Sequence, residues 1–460
     1  MQPPQCHYHL VGIAGVGMSA LAQALLNAGA GVSGSDRFFD QGRADLAVLQ
    51  TLRRAGVRLT PQDGSGVTAG LAGVVISTAV EADNPDLLAA QRLGIPVRRR
   101  AEMLAQLAAG RQVIAIAGTA GKTPVTGLAG HLLAELGADP TVVNGGSVRN
   151  WQRADATGST RRGRSNLWVL ETDESDRSLL RFAPDWAIVT NISKDHFELA
   201  EVVALFRQFA GQVKTGIICG PGVAELLRGH TAARLIEPNA HCLPSTVEAP
   251  PCRCSPEKRP EAASTTPAAF TYLSPMPGRH NAENSLLAAT LCEQFGYAPE
   301  KIAAALATFQ GVHRRLEEVG ACHGARIFDD YAHNPAKIAA ACAAVRPERG
   351  RLFAVWRPHG YGPLALMWRE LADAFAAAGR PGDRVFILPV FYAGGTAAAT
   401  VSPEQLVEAL RSRGLTAELA PDYAGLQARL LAELGVGDVV LVMGARDPDL
   451  PLFARRLAAA

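Results

Sequence analysis

The chain has 460 residues, which at roughly 150 residues per domain predicts about three domains and excludes a single small module. Its 45 basic and 43 acidic side chains leave a net charge of +2, and 48% of its residues are hydrophobic; a polybasic nucleic-acid binder and a disordered chain are both excluded. No run approaches the length of apolar sequence that a membrane span needs, and residues 1–7 hold no basic segment ahead of an apolar one. The expected location is therefore the cytoplasm, with neither a membrane nor a nucleic acid as partner. The eight cysteines, at 6, 219, 242, 252, 254, 292, 322 and 342, lack CxxC spacing, so reduced thiols are expected rather than a disulfide frame or a zinc site.

In chain order, 7–12 (HYHLVG) predicts a buried strand, 18–28 a helix, 31–35 a second strand and 74–77 a later one, followed by a helix over 85–93 and a strand over 95–97. Alternation of this kind implies a parallel sheet. A fresh strand over 112–117 opens a second unit, with further strands at 167–171 and 186–191. Between 229 and 277 the sequence turns rich in Pro, Ser and Thr and predicts a loop. Helical periodicity returns at 284–295 and 299–309, and a third block follows with strands at 325–328, 352–356, 384–388 and 439–443. The expected fold class is α/β in three domains: an N-terminal Rossmann-like domain over 1–109, a central P-loop parallel sheet that binds ATP over 110–311, and a C-terminal Rossmann-like α/β domain over 312–460.

The first strand runs into Gly12-Ile13-Ala14-Gly15-Val16-Gly17-Met18-Ser19-Ala20, and Gly15, Gly17 and Ala20 have the G-x-G-x-x-A spacing of a dinucleotide turn. Glycines there let the backbone approach a pyrophosphate at a helix N-terminus. Asp36, about twenty residues on, is suited to accept from a ribose hydroxyl. The spacing alone makes NAD the default expectation, UDP-sugars use the same surface, and a tight turn without ligand has the same residues. The second signal, Gly118-Thr119-Ala120-Gly121-Lys122-Thr123, follows the strand at 112–117. Such a loop cradles phosphate with backbone N–H groups, its lysine reaches the terminal phosphates and its threonine ligates Mg²⁺.

Two acidic or imidazole clusters, Glu171–Asp176 and Asp195-His196, follow strands and so fall where open parallel sheets gather ligands. Carboxylate oxygens suit Mg²⁺, although a solvated acidic loop has the same composition. The third block adds Arg314-Arg315, Asp329 to Pro335 (DDYAHNP) and His359-Gly360-Tyr361. Arginines near a phosphate would stabilise charge on a transferred phosphoryl group.

Together these segments resemble the Mur ligase family, and within it the branch that joins L-alanine to UDP-N-acetylmuramate. The likeness runs from HLVGIAGVGMSALA through GTAGKT, ETDESDRSLL and IVTNISKDHFE to PGRHNAENSLLA, GVHRRLE and DDYAHNP. It implies ATP-dependent amide formation between the UDP-N-acetylmuramate carboxylate and an amino acid, by way of an acyl phosphate, in peptidoglycan precursor synthesis. It also implies that Gly12, Gly15, Gly17, Met18, Ser19, Asp36 and Ser77 hold the UDP-sugar. Gly118, Thr119, Gly121, Lys122, Thr123, Asn281, Arg315, Asp330 and Tyr331 would bind ATP, with Thr123, Glu171 and His196 on Mg²⁺. Lys122, Arg315 and His333 would carry the chemistry, in a monomer or homodimer. The chain departs from that branch at Ala120, where the branch has histidine, at Asn334, and at Gly360 and Pro363, where it has arginines. The departures keep open a related ligase with another acceptor, such as a recycled peptide, and a nucleotide-binding regulator.

Overall fold

The structure is a computed structural model that describes residues 6–194, 197–245, 270–392 and 400–460. Its described residues form two compact units. The first draws on 6–194, 197–242, 270–273 and 283–312, the second on 243–245, 274–282, 313–392 and 400–460.

The first unit holds two sheets. One consists of β1 (His7–Val11), β2 (Gly31–Ser35), β3 (Arg58–Thr60), β4 (Gly73–Ile76) and β5 (Val97–Arg99), all parallel, in the order β3-β2-β1-β4-β5. The order reverses beside β1, so the turn at Gly12 opens on the crevice where such sheets take ligands. The other consists of β6 (Gln112–Ala117), β7 (Thr141–Val143), β8 (Thr160–Arg161), β9 (Leu167–Glu171), β10 (Trp186–Val189), β11 (Gly216–Cys219) and β12 (Arg234–Ile236), ordered β12-β11-β10-β6-β9-β7-β8. Only β8 runs antiparallel. β6 lies between β9 and β10, so the loop after β6 has Glu171 at the end of one neighbour and Thr190 just past the other. β6 is buried from Val113 to Ala117, as a strand covered by helices on both faces must be.

The two sheets of this unit are packed together. Ala20 and Ala24 of the helix Val16–Asn27 share a core cluster with Val113, Val143, Trp168 and Leu170. Gln23 fixes the contact: its Nε2 donates to the Asp155 carbonyl at 2.9 Å, and its Oε1 accepts from the Thr157 hydroxyl at 2.8 Å.

Two strands, β13 (His241–Ser245) and β14 (Thr271–Pro277), pair with each other. The stretch 229–277, expected as loop, therefore contributes β12, β13 and β14; β12 is only three residues long, and β13 and β14 carry Pro and Ser within the strand. Cys252 and Cys254 lie outside the described residues.

The second unit carries β15 (Glu317–Cys322), β16 (Ala325–Asp330), β17 (Leu352–Arg357), β18 (Arg384–Ile387), β19 (Thr416–Leu419) and β20 (Val439–Gly444), ordered β15-β16-β20-β17-β18-β19. β15 is an antiparallel edge; the other five are parallel and leave their C-terminal ends along one edge. No described helix is long and apolar enough to cross a membrane.

Candidate functional site

The loop 118–121 joins β6 to the helix Lys122–Glu135. Gly118 has φ +135°, and a Cβ there would lie 1.9 Å from the Thr190 hydroxyl oxygen; Gly121 has φ +81°, with the Asn284 carboxamide oxygen 2.7 Å from any added Cβ. Only glycine meets both demands. The loop is clamped from β10: the Thr190 hydroxyl donates to the Ala120 carbonyl at 2.6 Å, and Asn191 Oδ1 accepts from the Ala120 amide at 3.1 Å and the Thr119 hydroxyl at 2.5 Å. With its carbonyls and side chains held from behind, the loop presents its remaining amides at a helix N-terminus, the arrangement that binds phosphate.

Lys122 Nζ donates to Glu174 Oε2 at 2.5 Å and to the Gly118 carbonyl at 2.8 Å, with Asp173 Oδ1 at 3.6 Å. Burial disfavours its charge, but Glu174, Asp173 and Glu171 outweigh burial and the lysine pKa is raised. Thr123 donates its hydroxyl to Glu171 Oε1 at 3.0 Å, while Glu171 Oε2 accepts from the Gly145 amide at 2.6 Å. A hydroxyl and a carboxylate meeting beside a phosphate-type loop are hard oxygen donors of the kind Mg²⁺ takes, so the residues fit that ion. Among the described residues no cluster of three His, Cys, Asp or Glu is arranged to hold a metal. His196 and Asp195 lie outside the described residues.

At the first loop, Gly12 has φ +73° and its amide donates to the Ser35 carbonyl at 2.9 Å. Asp36 is buried; its Oδ2 accepts from the Ala14 amide at 2.8 Å and its Oδ1 caps the next helix through Phe38 N at 3.0 Å. Burial raises its pKa against those two bonds. Asp36 thus sets the shape of the glycine turn. Gly17 lies under the Arg100 guanidinium, 3.2 Å from where a Cβ would be, and Met18 and Ser19 are buried in the first turns of the helix. Ser77, just past β4, is half-buried and its hydroxyl accepts from the Ala79 amide at 3.4 Å.

In the second unit, Asp330 holds the backbone of the other expected residues. Its two oxygens accept from the Leu316 and Ala332 amides, each at 2.7 Å. Burial raises its pKa, with Arg315 opposing. The Arg315 and Arg314 guanidinium groups lie 5.4 and 5.1 Å from the Tyr331 ring centre. Arg314 donates to the Gly444 carbonyl at 2.6 Å and holds the sheet edge together. His333 Nδ1 donates to the Tyr331 carbonyl at 2.9 Å, so the lone pair is on Nε2. Burial, helped by Lys337, pushes His333 down to about 3, and burial with Arg446 pushes His359 to about 4. The two rings meet edge-on at 5.1 Å, both neutral near pH 7. Asn281 donates to the Pro277 carbonyl at 2.8 Å at the start of the helix Arg279–Gln294.

Several residues had no sequence signal strong enough to single them out. Glu174 lay within the acidic run but its partner is 52 residues away, and Arg100 was one of three consecutive arginines. Asn144, buried beside Gly145, has both side-chain polar atoms without a hydrogen-bond partner among the described residues.

Residues 7–112 match the model of the Mur ligase family, catalytic domain; residues 116–203 match the Mur ligase middle domain, and 314–446 the Mur ligase, glutamate ligase domain. A UDP-N-acetylmuramate–L-alanine ligase of Rhizobium meliloti (strain 1021) is 36% identical over 456 residues, covering 95% of this chain and 93% of that one. Among solved structures, the UDP-N-acetylmuramate-alanine ligase MurC of Thermotoga maritima superposes with a TM-score of 0.76 at 23% identity, covering 98% of each chain. A murein peptide ligase of Psychrobacter arcticus gives 0.67 at 20% identity, covering 99% of this chain and 98% of that one.

Proposed function

The chain belongs to the Mur ligase family, and from that membership we propose that it joins the carboxylate of UDP-N-acetylmuramate to L-alanine at the expense of ATP, in peptidoglycan precursor synthesis. The observation that carries the ATP-dependent half is the clamped loop 118–121 with Lys122 at its exit and the Thr123–Glu171 contact beside it. The names of full-length relatives support the choice of substrates.

In this reading residues 1–109 serve the UDP-sugar, 110–311 serve ATP and 312–460 serve the acceptor. The turn at Gly12, Gly15 and Gly17, with Met18, Ser19 and Ser77, receives the UDP moiety, and Asp36 keeps that turn in shape. Gly118, Thr119 and Gly121 cradle phosphate oxygens. Lys122, already charged, leaves Glu174 for a phosphate and spreads the charge that builds on the transferred group. Thr123 and Glu171, with His196, would hold Mg²⁺, which when bound neutralises phosphate charge.

The sugar carboxylate attacks the terminal phosphorus, ADP leaves, and an acyl phosphate forms. The acceptor amine then attacks the acyl carbon, inorganic phosphate leaves, and the amine loses a proton. His333 is assigned to that proton, because Nδ1 is bonded to the Tyr331 carbonyl and Nε2 keeps the lone pair. Arg315, Asn281, Asp330 and Tyr331 are assigned to the nucleotide side. The protein is read as cytoplasmic, a monomer or homodimer. Phosphate release from ATP, UDP-N-acetylmuramate and Mg²⁺ that depends on added L-alanine tests the proposal; release without any dependence on an acceptor counts against it.

A further inference from the structure

The glycine turn after β1 hangs on the end of β2. Ser35, opposite Val11 in register, accepts through its carbonyl from the Gly12 amide at 2.9 Å and the Ile13 amide at 3.0 Å, and Asp36 accepts from the Ala14 amide. The fit between turn and strand is close: a Cβ on Gly34 would lie 2.6 Å from Ile13 Cδ1 and 2.7 Å from the Leu10 carbonyl oxygen. Three consecutive amides of the turn are therefore placed by two consecutive residues, and a shift of Ser35 moves the turn with it.

Ser35 is itself held from outside the turn. Its hydroxyl donates to Asp86 Oδ2 at 2.5 Å, and Asp86 Oδ1 accepts from the Gly64 amide at 2.9 Å. Asp86 lies in the first turn of the helix Pro85–Arg92, and both it and Ser35 are fully buried. A buried carboxyl group is costly unless it is bonded, and the usual compensation is a lysine or arginine. Asp86 has a different ionisable neighbour among the described residues: His9 of β1, also fully buried, whose Nε2 lies 3.5 Å from Oδ2 and makes no hydrogen bond. Asp86 is thus directed at the strand end that carries the turn and at the loop beside it, not at a cation.

We propose that Asp86 is a positioning residue for the UDP-sugar: acting through the Ser35 hydroxyl, it holds the turn at 12–17 in the shape that receives the diphosphate. A hydrogen bond to a buried carboxylate is stiffer and stronger than one between neutral groups, and a small displacement of a binding loop is felt strongly by its ligand. The inference rests on the reading of that turn as the UDP-sugar site.

The test measures affinity for UDP-N-acetylmuramate and for ATP by calorimetric titration in wild type, Ser35→Ala, Asp86→Asn and the double variant. Val57→Ala is the control for lost stability, because Val57 is buried just ahead of β3, at the edge of the same parallel sheet opposite the turn. Ser35→Ala should weaken UDP-N-acetylmuramate about tenfold, the worth of one hydrogen bond to a charged group, and leave ATP affinity unchanged. Asp86→Asn should weaken it too, and the double variant should bind no more weakly than the weaker single, because Asp86 acts through that hydroxyl. Ser35→Ala removes a single oxygen and carries the test by itself if Asp86→Asn does not fold. Val57→Ala should lower the melting temperature without changing either affinity. Unchanged affinity in Ser35→Ala, additive losses in the double variant or an equal loss in Val57→Ala overturns the positioning role and leaves the UDP-sugar site standing. No binding of UDP-N-acetylmuramate by wild type overturns the site, and the positioning role with it.

Discussion

Lys122 Nζ and Glu174 Oε2 are 2.5 Å apart, in a pair whose side chains are 14% and 3% exposed. The ammonium that should meet a phosphate is held by an internal carboxylate. Phosphate must therefore displace Glu174, and the two residues cannot be altered independently.

Lys122→Ala should abolish phosphate release while leaving affinity for UDP-N-acetylmuramate nearly unchanged, measured by calorimetric titration. It also strands a buried carboxylate, which costs about 3 kcal/mol or more. The double variant Lys122→Met/Glu174→Gln should recover most of that stability in urea unfolding but none of the turnover. Simultaneous loss of both ligands in a folded Lys122→Ala would show that the two sites are not separate.

Gly118→Ala should raise the KM for ATP more than tenfold, because its Cβ would lie 1.9 Å from Thr190 Oγ1 at φ +135°. Gly137→Ala is the control: its φ is +89° but nothing lies within 4 Å. It should cost only about 1–2 kcal/mol of backbone strain and leave ATP kinetics alone.

The two imidazoles make a pH prediction. His333 and His359 are held at about 3 and 4, below the ordinary 6.5, so the folded protein resists protonating groups that the unfolded chain protonates readily. Their contribution to stability is complete above pH 6.5 and is lost as pH falls from there towards 4 and then 3. Asp329, raised by burial to about 6, works in the opposite direction, so the informative quantity is a difference. His333→Gln should lose less stability than wild type between pH 6.5 and pH 4, read from urea midpoints. Parallel curves would contradict the assignment.

Asn144 has both side-chain polar atoms buried and, among the described residues, without a partner. Replacing an unsatisfied buried amide by an apolar group of similar shape removes a desolvation cost. Asn144→Leu should raise stability by about 1 kcal/mol in urea unfolding. A loss of stability would mean that the amide has a partner such as an ordered water.

The extent to which the site was legible in the sequence follows from how local each signal is. The loop at 118–123 and the glycine turn at 12–17 are contiguous, and β6 and β9 fell on the expected residues because five buried apolar positions in a row in β6, and four in β9, have few other readings. Short strands escaped: Arg58–Thr60 is three residues with an exposed arginine, and Val97–Arg99 lies two residues beyond its expected place because its arginines hid it. The clamp from Thr190 and Asn191 onto Ala120 spans about seventy residues and exists only once β6 and β10 pair. Asp86 is conspicuous only through its bonds to Ser35 and Gly64, 51 and 22 residues away, which no spacing announces.

Every assignment above depends on ATP-driven ligation of an amino acid. The most direct measurement is phosphate release with UDP-N-acetylmuramate, ATP and Mg²⁺, with and without L-alanine, coupled to mass analysis of the nucleotide sugar. An ATP-driven amino-acid ligase gives acceptor-dependent release and a product heavier than the starting sugar by one alanine less water. Tight binding of both nucleotides with no release for any acceptor would contradict it.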